Sequence, residues 1–100
     1  MKIYLYIDDE RHCQQVPDGY VLITTRSYRH SLNILALFAQ TDEIIVDFDH
    51  DLGEQKTGYD VAKYIVENDI PLVGFHIHSM NPIGRMNIYQ LLTHYGYSAL

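Results

Sequence analysis

EIIVDFDHDLG, residues 43–53, is a β-branched apolar run that opens into three aspartates, Asp47, Asp49 and Asp51, with Phe48 and His50 between them. IYLYIDDER, residues 3–11, repeats the plan: an apolar run, then Asp8, Asp9, Glu10 and Arg11. Near-continuous apolar runs are what the strands of a parallel sheet look like, because both of their faces are covered. In open α/β sheets, ligands bind beyond the carboxyl ends of the strands. Two such strands side by side gather carboxylates in one crevice. Like charges at close range repel and raise each other's pKa. A cation relieves that repulsion, and a site of carboxylate oxygens suits Mg²⁺ or Mn²⁺.

The rest of the chain fits one α/β domain over residues 1–100. Its length allows no second domain of ordinary size, and 47% hydrophobic residues are enough for a core without staples. The net charge of −6 argues against binding a DNA duplex, which needs a basic face. It leaves room for a small phosphorylated ligand held by a metal and local arginines. Cys13 is the one cysteine, so no internal disulfide forms, and it is read as a bystander thiol. No run approaches the roughly 20 apolar residues that cross a bilayer. MKIYLYIDDE reads as a strand rather than a signal peptide. The expected location is the cytoplasm, with no membrane partner.

Strands are expected at 2–7, 20–24, 43–49 and 72–78, with helices from Ser27 to about Ala39, from Thr57, and from Asn81 to about Tyr95. Ser27 is a plausible N-cap. Thr57 and Asp60 resemble a capping box. Asn81-Pro82 is a strong helix start, and Gly96 a stop. Later elements alternate strand and helix, which argues for a parallel sheet. The link from the first strand to the second, about 12 residues, is near the lower limit for a parallel crossover.

Candidate functional residues lie at the strand ends. Asp8 and Asp9 follow the first strand. Asp49 ends the third strand and points into the crevice, Asp51 lies in the next loop, and Asp47 sits deeper, where a lone carboxylate is costly and needs a partner. In HIHS (76–79), His76 and His78 share one side of a strand. A metal pair, an acid–base pair and core histidines all fit this run. His76 is read as the buried core residue. His78 is read as the general acid or base, since imidazole titrates near neutral pH. Ser79, Asn81 and the amides of 82–85 form a helix start that can take phosphate. Arg85 stands in the same first turn, where the helix dipole disfavours a cation and an anion would compensate it. Arg11 can hold a phosphate from the opposite side. Among the nine tyrosines, one or two could stack a base.

Taken together, DDER after the first strand, FDHDLG with Gly58-Tyr59-Asp60 after the third, and HSMNPIG (78–84) after the fourth resemble the cyclic-phosphate-processing receiver-like domains, compact relatives of response-regulator receivers. The resemblance covers nearly the whole chain. It implies a compact three-layer flavodoxin/receiver-like fold with about four parallel strands, order 2-1-3-4, and three helices. It aligns Asp8 and Asp9 with the receiver metal pair, Asp49 with the phosphoacceptor, and Ser79 with the hydroxyl residue after the fourth strand. His78 and Asn81 match the polar residues that set this family apart. A signalling receiver also has a fifth strand bearing a lysine. Here the sequence reaches Leu100 with no room for that strand, and Lys2, Lys56 and Lys63 fall elsewhere, so phosphorelay signalling is not expected.

The function expected is a metal-dependent phosphoesterase acting on a cyclic phosphate, a nucleotide or an RNA end. Asp8, Asp9, Asp49 and Asp51 would hold the metal, Asp49 and His78 would be catalytic, and Arg11, Ser79, Asn81 and Arg85 would bind phosphate. Two other readings use the same residues: a non-catalytic sensor or sponge for a nucleotide second messenger, and a degenerate receiver that docks a protein partner.

Overall fold

A computed structural model describes residues 1–100. It contains β1 (Lys2–Ile7), β2 (Val21–Thr25), α1 (Tyr28–Phe38), β3 (Glu43–Phe48), α2 (Gly58–Glu67), β4 (Gly74–Ile77) and α3 (Pro82–His94). The four strands form one parallel sheet in the order β2-β1-β3-β4. The short link between β1 and β2 therefore does make a parallel crossover, without a helix. No helix is long and apolar enough to cross a membrane.

Alternation along the strands sorts the residues onto two faces. Ile3, Leu5 and Ile7 of β1, Ile44, Val46 and Phe48 of β3, and Phe75 of β4 join Leu35, Val61, Ala62, Ile65, Ile88 and Leu92 of the helices in one core. All three helices therefore pack on the same face. Full burial of each such side chain stabilises the fold by roughly 1.5–3 kcal/mol. The other face carries Tyr4, Tyr6 and Ile45, covered by Cys13, Val16 and Tyr20. The third layer is thus the irregular segment between β1 and β2, not a helix. Beyond α3, Phe75 pairs with Ala99 in a single parallel bridge at the β4 edge, its amide donating to the Ser98 carbonyl and its carbonyl accepting from the Leu100 amide. This is a contact at the place of a fifth strand, without being one.

The helix starts follow local chemistry. Ser27 Oγ accepts from the His30 amide, and Asn81 Oδ1 from the Gly84 amide, with Pro82 at the first helical position. The Asp60 carboxylate accepts from the Thr57 amide at 2.8 Å. Each satisfies an amide that the helix cannot pair internally.

The expectation for His76 is corrected. Its side chain is exposed, because only the 8–20 segment covers that face and it stops short of β4. His76→Ala should leave stability nearly unchanged.

Two glycines fix how the loop after β3 sits. A Cβ on Gly58 would lie 1.9 Å from the Asp49 carbonyl oxygen, and one on Gly84 would lie 2.3 Å from the His50 ring. The Gly58 amide also donates to the His50 carbonyl at 2.7 Å. Gly58→Ala must push the Asp49 backbone away. Urea denaturation should show a loss of about 1–3 kcal/mol, the usual scale for overpacking; an unchanged midpoint would mean that the loop yields freely.

Candidate functional site

Asp8, Asp49 and His78 are each the first residue after a strand, and the sheet register sets them side by side. Ile7 pairs with Phe48 and Phe48 with Ile77, one position earlier in each case. The ladder runs one step further through backbone bonds from Asp8 N to Thr25 O, Asp49 N to Ile7 O and His78 N to Phe48 O. Their side chains consequently share the face opposite the helices. One ligand-capable atom from each of the three lies within 4.8 Å of the others.

His78 is held at both ring nitrogens. Nδ1 lies 2.7 Å from Asp47 Oδ1, and Nε2 lies 3.0 Å from Asp8 Oδ2. Tyr6 stacks on the ring, with centroids 4.3 Å apart and planes 8° from parallel. A neutral imidazole has one N–H and would satisfy only one of the two carboxylates. The doubly protonated ring satisfies both. Burial pulls the His78 pKa down, but the hydrogen bond to Asp47, its charge, and the bond to Asp8 outweigh it, so the net shift is upward. Asp47, 5% exposed, also accepts from the Tyr4 hydroxyl at 2.5 Å. Burial and this carboxylate raise the Tyr4 pKa, which keeps the phenol a donor. The deep carboxylate thus has the partners that its burial requires.

Asp8, 1% exposed, is the most heavily bonded member. It accepts from the amides of Glu10 and Arg11 and from Arg11 Nε at 3.0 Å, besides His78. Burial acts to raise its pKa, yet the two amides, His78 and Arg11 bring it below the ordinary carboxylate value. Arg11 also reaches Asp49 Oδ2 at 3.6 Å. Arg26, at the carboxyl end of β2, clasps the loop from the outside by donating to the carbonyls of Asp8 and Arg11.

An open cleft of about 410 Å³ lies over Asp8 and Asp49, walled by these two with Asp9, Glu10, Arg11, Asp51 and Asn81, while His78 stands behind Asp8 rather than on its wall. Asp9 points towards Gly53. Exposed Asp51 bonds His50 Nδ1 at 3.1 Å and Asn81 Nδ2 at 3.3 Å. Ser79 is buried and its hydroxyl accepts from the Asn81 amide, so it shapes the turn beneath the cleft. Arg85 is not brought to this cleft. The helix carries it to a separate groove along the β4 edge. The sequence reading missed Arg26, Tyr4 and Tyr6. For the tyrosines the available signal was their two-residue spacing ahead of Asp8. For Arg26 it was its place directly after the neighbouring strand.

Opposite shifts at His78 and Asp8 give the metal-free fold a pH window. A raised histidine pKa contributes stability that is fully present below its unfolded value of about 6.5 and is lost as pH rises through the folded value. A depressed carboxylate contributes stability present above its unfolded value of about 3.9 and lost as pH falls through the folded one. In EDTA, urea midpoints should be highest between those limits and fall on either side. His78→Gln should flatten the alkaline limb, and an unchanged limb would remove His78 as its source.

A four-stranded parallel sheet of order 2-1-3-4, with carboxylates at the ends of its two central strands, defines an α/β protein of the receiver, flavodoxin-like type. Residues 3–94 match the family model described as Cyclic-phosphate processing Receiver domain, and the chain belongs to that family. No curated protein and no solved structure matches significantly.

Proposed function

We propose that the domain is a divalent-metal-dependent phosphoesterase that opens a cyclic phosphate on a nucleotide or RNA end. The observation that carries this reading is the charge of the cleft: five carboxylates and a single guanidinium line it, in a family tied to cyclic-phosphate processing. A phosphodiester anion has no favourable place there until cations offset the carboxylates. Asp8, Asp9, Asp49 and Asp51 offer a set of oxygen donors that fits Mg²⁺ or Mn²⁺. When bound, such an ion supplies Lewis acidity towards a phosphoryl oxygen.

The chain's own residues supply the rest. Arg11 has five N–H groups and spends two nitrogens on Asp8 and Asp49, which leaves donors for a phosphoryl oxygen. A protonated His78 has no lone pair for a metal, so its role is proton transfer. Water's oxygen forms a new P–O bond and its proton passes to a cleft carboxylate. One ring P–O bond breaks, and the leaving alkoxide takes a proton from Asp8, which the His78 Nε2 proton replaces. Asp47 fixes the ring through Nδ1 and stabilises its charge, the part that a carboxylate plays behind a catalytic histidine elsewhere.

The test is incubation of the purified protein with nucleoside 2′,3′-cyclic and 3′,5′-cyclic phosphates and cyclic-phosphate RNA ends, with Mn²⁺ or Mg²⁺, resolving products by chromatography. Opening of a ring, lost in Asp49→Asn, is the expected result. Binding without turnover in every case would replace catalysis by a sensor or sponge. Neither binding nor turnover would defeat both.

A further inference from the structure

We propose that the groove along the β4 edge is a second subsite, which takes the nucleotide on the 5′ side of an RNA end whose cyclic phosphate lies in the acidic cleft. The inference rests on the proposed function and names its substrate class: an oligoribonucleotide rather than a mononucleotide. The groove holds about 470 Å³, within the roughly 300–1,000 Å³ usual for small-ligand sites. No acidic side chain lines it. Its charged side chain is Arg85, which makes no ion pair and whose guanidinium makes no hydrogen bond within the chain. In a chain with thirteen acids, this is an anion-receptive depression beside a cation-receptive one.

The two depressions are continuous in the backbone. Asn81 lines the cleft and Pro82 the groove. Arg85 stands one helical turn, about 6 Å along the axis, beyond Asn81. The remaining surface offers a flat apolar bed: Pro82, Met86 and the half-exposed Tyr89, with His76 and Leu100 opposite. Aromatic faces accept any base by stacking, and an arginine beside them takes the backbone phosphate. A 2′,3′-cyclic phosphate closes the 3′ end of a chain, so the neighbouring nucleotide lies on its 5′ side.

The experiment measures Kd in the folded, turnover-deficient His78→Gln protein with Mn²⁺, by competition against a fluorescent trinucleotide ending in 2′,3′-cyclic phosphate, for that trimer and for the nucleoside 2′,3′-cyclic phosphate, with the further variants made in the same background. The trimer should bind about tenfold or more tightly, the scale of one stacked base. Arg85→Gln and Tyr89→Ala should each shrink that ratio several-fold. Arg85→Gln should also lower the salt slope for the trimer by about 0.7, one phosphate on a single strand. Melting temperatures confirm that the variants fold. Equal affinities for trimer and mononucleotide, or a ratio untouched in both variants, overturn the subsite while leaving the cyclic-phosphate reading intact. Failure of both ligands to bind overturns the two together.

Discussion

His78→Ala should lower turnover of a cyclic phosphate by about 10²–10⁴-fold, the usual cost of losing a positioned acid or base. The same change should also lower stability, which position at a strand end alone does not suggest. His78 is the shared partner of two carboxylates that are 1% and 5% exposed. Removing one member of a buried charged network costs about 3–5 kcal/mol, because the other members keep their charge without compensation. His78→Gln separates chemistry from folding. Its amide can donate to one carboxylate but has no proton to give up. The expected result is a folded protein by circular dichroism, with turnover near that of His78→Ala. Turnover close to the parent's in folded His78→Gln would remove His78 from the proton path. Asp47→Asn should resemble it in a milder form, since it keeps a side chain at Tyr4 but loses the charge that favours imidazolium.

Removal of the divalent ion should have an effect as large. In EDTA, ring opening should fall to the buffer rate, and Mn²⁺ or Mg²⁺ should restore it. A readout besides activity comes from linkage. A ligand at one hundred times its Kd stabilises the fold by about 2.7 kcal/mol. For a domain of this size that is about 10–20 °C in melting temperature. Asp49→Asn should lose most of that rise. In EDTA, however, Asp49→Asn should melt no lower than the parent, because it removes one of five crowded carboxylates. A parent protein whose melting temperature ignores both ions would show that Arg11 and His78 are the only cations these strand-end carboxylates take.

Much of this arrangement was legible in the chain because it rests on local rules. Apolar runs ending in aspartate mark parallel strands whose ends share an edge. Ser27, Asn81 and Pro82 mark helix starts by the hydrogen bonds that only such residues supply there. The order 2-1-3-4 came from the resemblance and the handedness of crossovers. His76 was misjudged for a physical reason. Alternation says that His76 and His78 share a face, but not whether a layer covers that face. The segment that covers it has no periodicity to read, and it reaches Tyr4 and Tyr6 without reaching β4. Arg85 was misplaced for a similar reason. Its position in the first turn of α3 was right, while the side of the helix from which it leaves depends on how α3 crosses the sheet.

The sequence by itself determined the strands, the helix starts and which acids stand at strand ends, since each follows from the period of the backbone and the bonding needs of a few neighbouring residues. Only the tertiary structure decided the partners. The pairing of Asp47 with Tyr4 and His78, of Asp8 with His78, and of the Asp8 loop with Arg26 joins residues from four different segments. Burial and charge make each of those groups need a partner, but it is the register of β2, β1, β3 and β4 that brings that partner within reach.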